Sequence, residues 1–76
     1  MIKIHIINKI GDKVQEYHNR TGISKSQIAK EMGYKSKQAL EGVISSKNPT
    51  IKTLVIFSYF FNCDISELFE VNIKNK

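Results

Sequence analysis

Between Gly22 and Gly33 the chain reads Gly-Ile-Ser-Lys-Ser-Gln-Ile-Ala-Lys-Glu-Met-Gly, and this segment narrows the possible folds more than any other. Ser24 suits a helix N-cap, and Gln27 stands three positions later, where a capping box needs it. Ile28, Ala29 and Met32 then give one apolar face that is small in the middle. Gly33 stops the helix at a position that favours a left-handed residue. A second short helical pattern follows at once. A short helix, a glycine turn and another short helix form a helix-turn-helix pattern, here about residues 24–45. Ala29 belongs in it because two helices that cross closely leave little room for a larger side chain.

The rest of the chain supplies elements to hold that pair. Ile2, Ile4 and Ile6 alternate with Lys3 and His5, which predicts a short strand over residues 1–7. Asn8 reads as the N-cap of a first helix, in which Ile10, Val14 and Tyr17 recur on one face before Thr21-Gly22 ends it. The second helix runs from about Lys25 to Met32. Ser36 caps a third over Lys37 to Ile44, with Ala39, Leu40, Val43 and Ile44 as its buried face. Gly42 weakens that helix by roughly 1 kcal/mol relative to Ala, so it marks either a close helix contact or a close approach to DNA. Asn48-Pro49 breaks the chain. Thr50 then caps a fourth helix to about Phe61, with Ile51, Leu54, Phe57, Ser58 and Phe61 as its core stripe. Asp64 and Glu67 form a capping box for a short fifth helix ending near Phe69. Val71 to Lys76 alternates weakly, as a strand or a frayed tail would, and the apolar Met1–Ile7 segment could pair with Val71–Ile73, within or between chains. Residues 1–76 make a single domain with its core in 8–69.

A chain of 76 residues has a small core, so dimerisation is a plausible source of extra burial. Its single cysteine, Cys63, excludes an intramolecular disulfide and a cysteine-based metal cluster, and suits a reducing cytoplasm. His5 and His18 stand at no catalytic or metal-ligating spacing, so neither an enzyme nor a bound cofactor or metal is expected. Met1 to Ile10 is apolar but short and interrupted by charge, so neither a signal peptide nor a membrane span is expected. The net charge of +5 is unevenly placed. Residues 1–47 hold nine Lys/Arg against four Asp/Glu, and residues 48–76 hold three of each. The excess therefore lies with the helix-turn-helix half, where it would attract phosphate.

The ordered set Ile10-Gly11, Val14, Tyr17, Gly22-Ile23-Ser24, Ile28-Ala29, Gly33, Pro49-Thr50-Ile51-Lys52-Thr53-Leu54, Phe57-Ser58, Phe61 and Ile65-Ser66-Glu67-Leu68-Phe69 resembles the lambda-repressor/Cro-like helix-turn-helix family, also called the Xre family. The resemblance covers about residues 10–69. Lys25 departs from the family's usual glutamine at the start of helix two. The usual glutamate and glycine after helix three are replaced near Val43 to Ser46. An ungapped match buries Ala39 and Gly42; a shift by one buries Leu40 and Val43 instead and satisfies burial better. The implied fold is all-α, a five-helix lambda-repressor-like DNA-binding domain, with short N- and C-terminal strands left open.

The resemblance implies sequence-specific binding of double-stranded DNA by a transcriptional regulator, a repressor of the kind common on prophages and other mobile elements. Helix three, residues 37–44, would lie in the major groove with helix two above it. Ser36, Lys37, Gln38, Glu41 and Ser45 are the candidates for base contacts. Glutamine can bind adenine through two hydrogen bonds, and lysine can reach guanine acceptors. Glu41 can accept from a cytosine amine or pair with Lys37 on the helix surface. Lys25, Ser26, Tyr34, Lys35 and Lys47 are the phosphate candidates, although Tyr34 can equally pack over the turn.

One helix in one groove reads few base pairs, so a homodimer is expected. Val55, Ile56, Tyr59 and Phe60 exceed what the core stripe of helix four needs, and they form a candidate dimer interface. The competing function is an antitoxin-like or other protein-interaction module that binds a protein partner through helix 50–61. Binding at a membrane surface is not expected, because the basic residues do not line one amphipathic helix.

Overall fold

The computed structural model describes residues 1–75 of the chain. Strand β1 (Ile2–Asn8) leads into helices α1 (Ile10–Thr21), α2 (Lys25–Glu31), α3 (Lys37–Ile44) and α4 (Ile51–Phe61). A single 3-10 turn at Ile65–Glu67 precedes strand β2 (Phe69–Asn75). The two strands pair antiparallel, from Ile2 opposite Asn75 to Asn8 opposite Phe69. The fold is therefore four α-helices with a two-stranded antiparallel sheet, which corrects the expectation of a five-helix, all-α domain. The expected fifth helix is only the 3-10 turn, because Phe69 pairs with Asn8 and carries the chain into β2. Lys76, in the tail expected to be a strand or frayed, lies outside the described residues.

Capping side chains set the helix starts. Ser24 Oγ accepts from the Gln27 N–H, Ser36 Oγ from Ala39 and Thr50 Oγ1 from Thr53. Each satisfies a backbone donor that the first helical turn leaves unpaired. The box at Ser24 is half made, since the Gln27 side chain donates to Glu31 instead of reaching back. Asp64 and Glu67 form a complete box. Gly22 (φ +76°) and Gly33 (φ +89°) end α1 and turn the chain between α2 and α3 in the left-handed region.

Ile10, Val14, Ile28, Ala29, Leu40, Leu54, Phe57 and Leu68 form the core, and each is at most 4% exposed. Phe57 sits at its centre, its ring 5.9 Å from Phe61 and 6.5 Å from Tyr34. Ala29 is buried where α2 meets α3, as its size requires. Two expected core residues lie outside. Ala39 is exposed on α3, because Leu40 takes the inward position and Val43 and Ile44 flank it. Ile51 is 70% exposed. It opens α4, and helical side chains lean toward the N-terminus, which carries Ile51 past the edge of the core.

Asn8 ties the sheet to the helices. Its Oδ1 accepts from the Ile10 N–H at 2.9 Å, so it helps start α1 although Lys9 is the cap residue. Its Nδ2 donates to the carbonyls of Val43, Ile44 and Ser46 at 2.9, 3.2 and 3.0 Å. Carbonyls at the end of a helix have no partner within the helix, so an asparagine 35 residues upstream caps the C-terminus of α3. Gly11 makes the same junction tight, since a Cβ there would stand 2.7 Å from Ile44 Cγ2.

Candidate nucleic-acid interface

Helices α2 and α3 are joined by a turn whose first residues bond back to α2. The Tyr34 N–H donates to the Ala29 carbonyl at 2.9 Å and the Gly33 N–H to Lys30 at 3.1 Å. The Tyr34 ring stacks against Phe57, and burial pushes its phenol above the usual value. Tyr34 thus packs over the turn and braces it. With the turn fixed and the end of α3 held by Asn8, α3 is supported at both ends.

Leu40 fixes which side of α3 faces solvent. At about 100° per residue, Gln38, Gly42 and Ser45 fall on the side opposite Leu40, in an i, i+4, i+7 stripe. Ala39 and Glu41 flank it, Lys37 stands at the start of the helix nearer the Leu40 side, and all six are exposed. The Ser36 hydroxyl accepts the capping bond from Ala39, and Ser45 Oγ donates to the Gly42 carbonyl at 3.3 Å. The outer surface of α3 is therefore polar or small along its whole length. Sequence reasoning placed Ala39 in the core, whereas it stands beside Gln38 on this surface. The burial-satisfying register, with Leu40 and Val43 inward, already pointed to that. The expected alternative of a close helix contact at Gly42 is corrected too, because a Cβ there would meet nothing within 4 Å.

Charge around this surface is positive and unneutralised. Among the described residues the ion pairs join Lys13 to Glu16 and Glu67, far from α3. Lys25, Lys35, Lys37 and Lys47 make none, and neither does Glu41, so of the two roles open to Glu41 the surface pair with Lys37 is not formed. Lys25 and Lys37 come together with Gln15, His18, Ser24 and Ser26 around a shallow depression between α1, α2 and α3. His18 Nδ1 lies 2.8 Å from the Ile23 carbonyl, which pins the α1–α2 connection beside it. Lys35 stands exposed in the turn, and Lys47 lies in the loop after α3, across a shallow groove from β1. The phosphate candidates thus border α3 on more than one side.

On α4, Val55, Ile56 and Tyr59 are exposed, at 50%, 43% and 89%. Phe60 is not part of that surface. It is half-buried, with its ring 5.5 Å from Tyr17 and 5.2 Å from Phe61, which corrects its assignment to a dimer interface. Cys63 packs against the core, and burial pushes its thiol up. Among the described residues, no helix is long and apolar enough to cross a membrane.

Comparison of the chain with protein-family models, with curated proteins and with solved structures finds no match in any of the three.

Proposed function

We propose that this chain binds double-stranded DNA in a sequence-specific way and acts as a cytoplasmic transcriptional repressor that works by occupying its operator. The observation that carries the reading is the outer surface of α3. Gln38, Gly42 and Ser45 form one polar, small stripe on a helix held at both ends, with Ala39 and Glu41 beside it and unpaired lysines, Lys37 among them, around it. Such a surface fits a major groove, where Gln38 can take adenine bidentately, Ala39 can meet a thymine methyl and lysine can take guanine or phosphate. Lys25, Ser26, Lys35 and Lys47 are assigned to phosphate, and Ser36, Lys37, Gln38, Glu41 and Ser45 to the base edges. A dimer would double the site by two-fold symmetry.

The test is selection of bound sequences from random duplex DNA at physiological salt, repeated with Gln38→Ala. Enrichment of a two-fold symmetric site, relaxed by the substitution at a defined base, is the expected result. Binding that is only general and salt-sensitive would remove the sequence-specific reading. The exposure of Val55, Ile56 and Tyr59 favours a second reading, an antitoxin-like module that covers a protein partner with α4. In that case Tyr59→Ala would abolish partner capture while Gln38→Ala left it intact.

A further inference from the structure

The two-stranded sheet is the least supported part of the molecule. Antiparallel partners share a face, so Ile4 and Ile73 lie together, as do Ile6 and Val71, and Ile2 extends the same face. These five side chains are 37–64% exposed, and exposure is greatest at the tip, in Ile2, Ile4 and Ile73. The other face carries Lys3 opposite Lys74, His5 opposite Asn72 and Ile7 opposite Glu70. Two lysines directly opposed destabilise a strand pair. The arm packs chiefly against itself and extends a body whose principal dimensions are 45 × 22 × 19 Å. A lone two-stranded sheet with no layer behind its apolar face is marginal in water.

We infer that the Ile2–Ile4–Ile6–Val71–Ile73 face is covered by the same face of a second copy of this chain. The face bears no charged side chain, so two molecules of charge +5 can meet there without opposing like charges. Lys3, His5 and Lys74 point to the opposite side and stay in solvent when the ribbons stack at the ordinary sheet separation of about 10 Å. An uncharged patch of aliphatic residues can be complementary to itself under a two-fold axis, as an isologous interface requires. The five side chains leave roughly 500 Å² uncovered, at the upper end of what a lone monomer carries. Two copies supply about 1,000 Å², the lower bound for a specific interface. The association is therefore reversible and depends on concentration. The α4 surface has a weaker claim, because its helix is already anchored by buried Leu54 and Phe57, whereas the arm has no other cover.

The inference stands apart from DNA binding, and its test reads mass. Sedimentation equilibrium of the full chain from micromolar to submillimolar concentration is expected to show a shift from 8.7 kDa to twice that value. Ile4→Thr with Ile73→Thr keeps β-branched residues in the strands and is expected to hold the chain at the monomer mass, with the helical circular dichroism unchanged. Lys3→Glu, on the opposite face, is expected to preserve the dimer and to steady the arm by pairing with Lys74. A monomer at every concentration overturns the inference. So does a dimer that survives the double threonine variant but is lost with Val55→Ser and Tyr59→Ala, since that places the interface on α4. A dimer that binds no DNA removes the proposed function and leaves this inference standing; a monomer that binds a half-site does the reverse.

Discussion

Replacing Gly42 with alanine should move stability and DNA affinity in opposite directions. Gly42 is mid-helix in α3, exposed, with nothing within 4 Å of where a Cβ would sit. Glycine at an unstrained helical position costs about 0.5–1 kcal/mol relative to alanine, and here no clash offsets the gain. In a domain of this size that corresponds to a rise in Tm of roughly 2–8 °C. The same methyl group would stand between Gln38 and Ser45, on the stripe assigned to the groove. Lifting α3 away from the base edges would weaken the Gln38 contact, which as a bidentate pair is worth about 1–3 kcal/mol, or roughly five- to 150-fold in affinity. Thermal melts followed by circular dichroism give the first quantity. Anisotropy titration of the selected duplex at fixed salt gives the second. A variant that is more stable and binds as tightly as the parent would refute the placement of Gly42 against DNA. A variant that is less stable would refute the reading of α3 as unobstructed at that point.

Asn8→Ala removes three donated bonds to the end of α3 and one acceptor at the start of α1, and should cost about 1–3 kcal/mol in urea unfolding. Unchanged stability would mean that water replaces the amide at no cost. Gly11→Ala should lower Tm despite its better helix propensity, because Ile44 Cγ2 stands 2.7 Å from the new Cβ and a β-branched side chain yields poorly; the paired variant Gly11→Ala with Ile44→Leu, which lacks the Cγ2 methyl, tests whether crowding at that group is responsible. The Lys13–Glu67 contact at 2.9 Å holds the Glu67 carboxyl below its ordinary 4.5 and the Lys13 ammonium above its ordinary 10.5, each chiefly through their mutual hydrogen bond. Its stabilisation is therefore present at neutral pH. It is lost as pH falls through the lowered Glu67 value and, at the other end, as pH rises through the raised Lys13 value. Glu67→Gln should flatten both limbs of a Tm-against-pH curve.

The helices were legible because their ends are written in side chains that act locally. Ser24, Ser36, Thr50 and Asp64 each accept the backbone bond that their position suggests, and Gly33 supplies the left-handed turn. The outer face of α3 was legible as far as Leu40 and Val43 identify the inner one. Ala39 was misassigned because an apolar but small residue fits either side of a helix. The arm was legible in the alternation of Ile2, Ile4 and Ile6 and, more weakly, of Val71 and Ile73, which offered pairing of the two ends as one option. The register and the start of β2 were not legible, because the pairing joins residues at opposite ends of the chain and Phe69 was read as the end of a helix. The role of Asn8 was hidden for the same reason: its amide acts on carbonyls 35 to 38 residues away, while the sequence shows only a good capping residue before α1.

The junction at Asn8 also imposes an order of events on a newly made chain. Strand β1 is translated early, yet its partner emerges only about sixty residues later, several seconds at ordinary synthesis rates of roughly 5–20 residues per second. During that interval an isoleucine-rich strand has no native edge to join, and the local helices can form before it does. Residues 1–8 thus wait for their native partner as an unpaired strand. At Asn8 two tethers are thus made at different times: the amide can cap the end of α3 once residue 46 has emerged, whereas β1 gains its backbone partner only with residues 69–75.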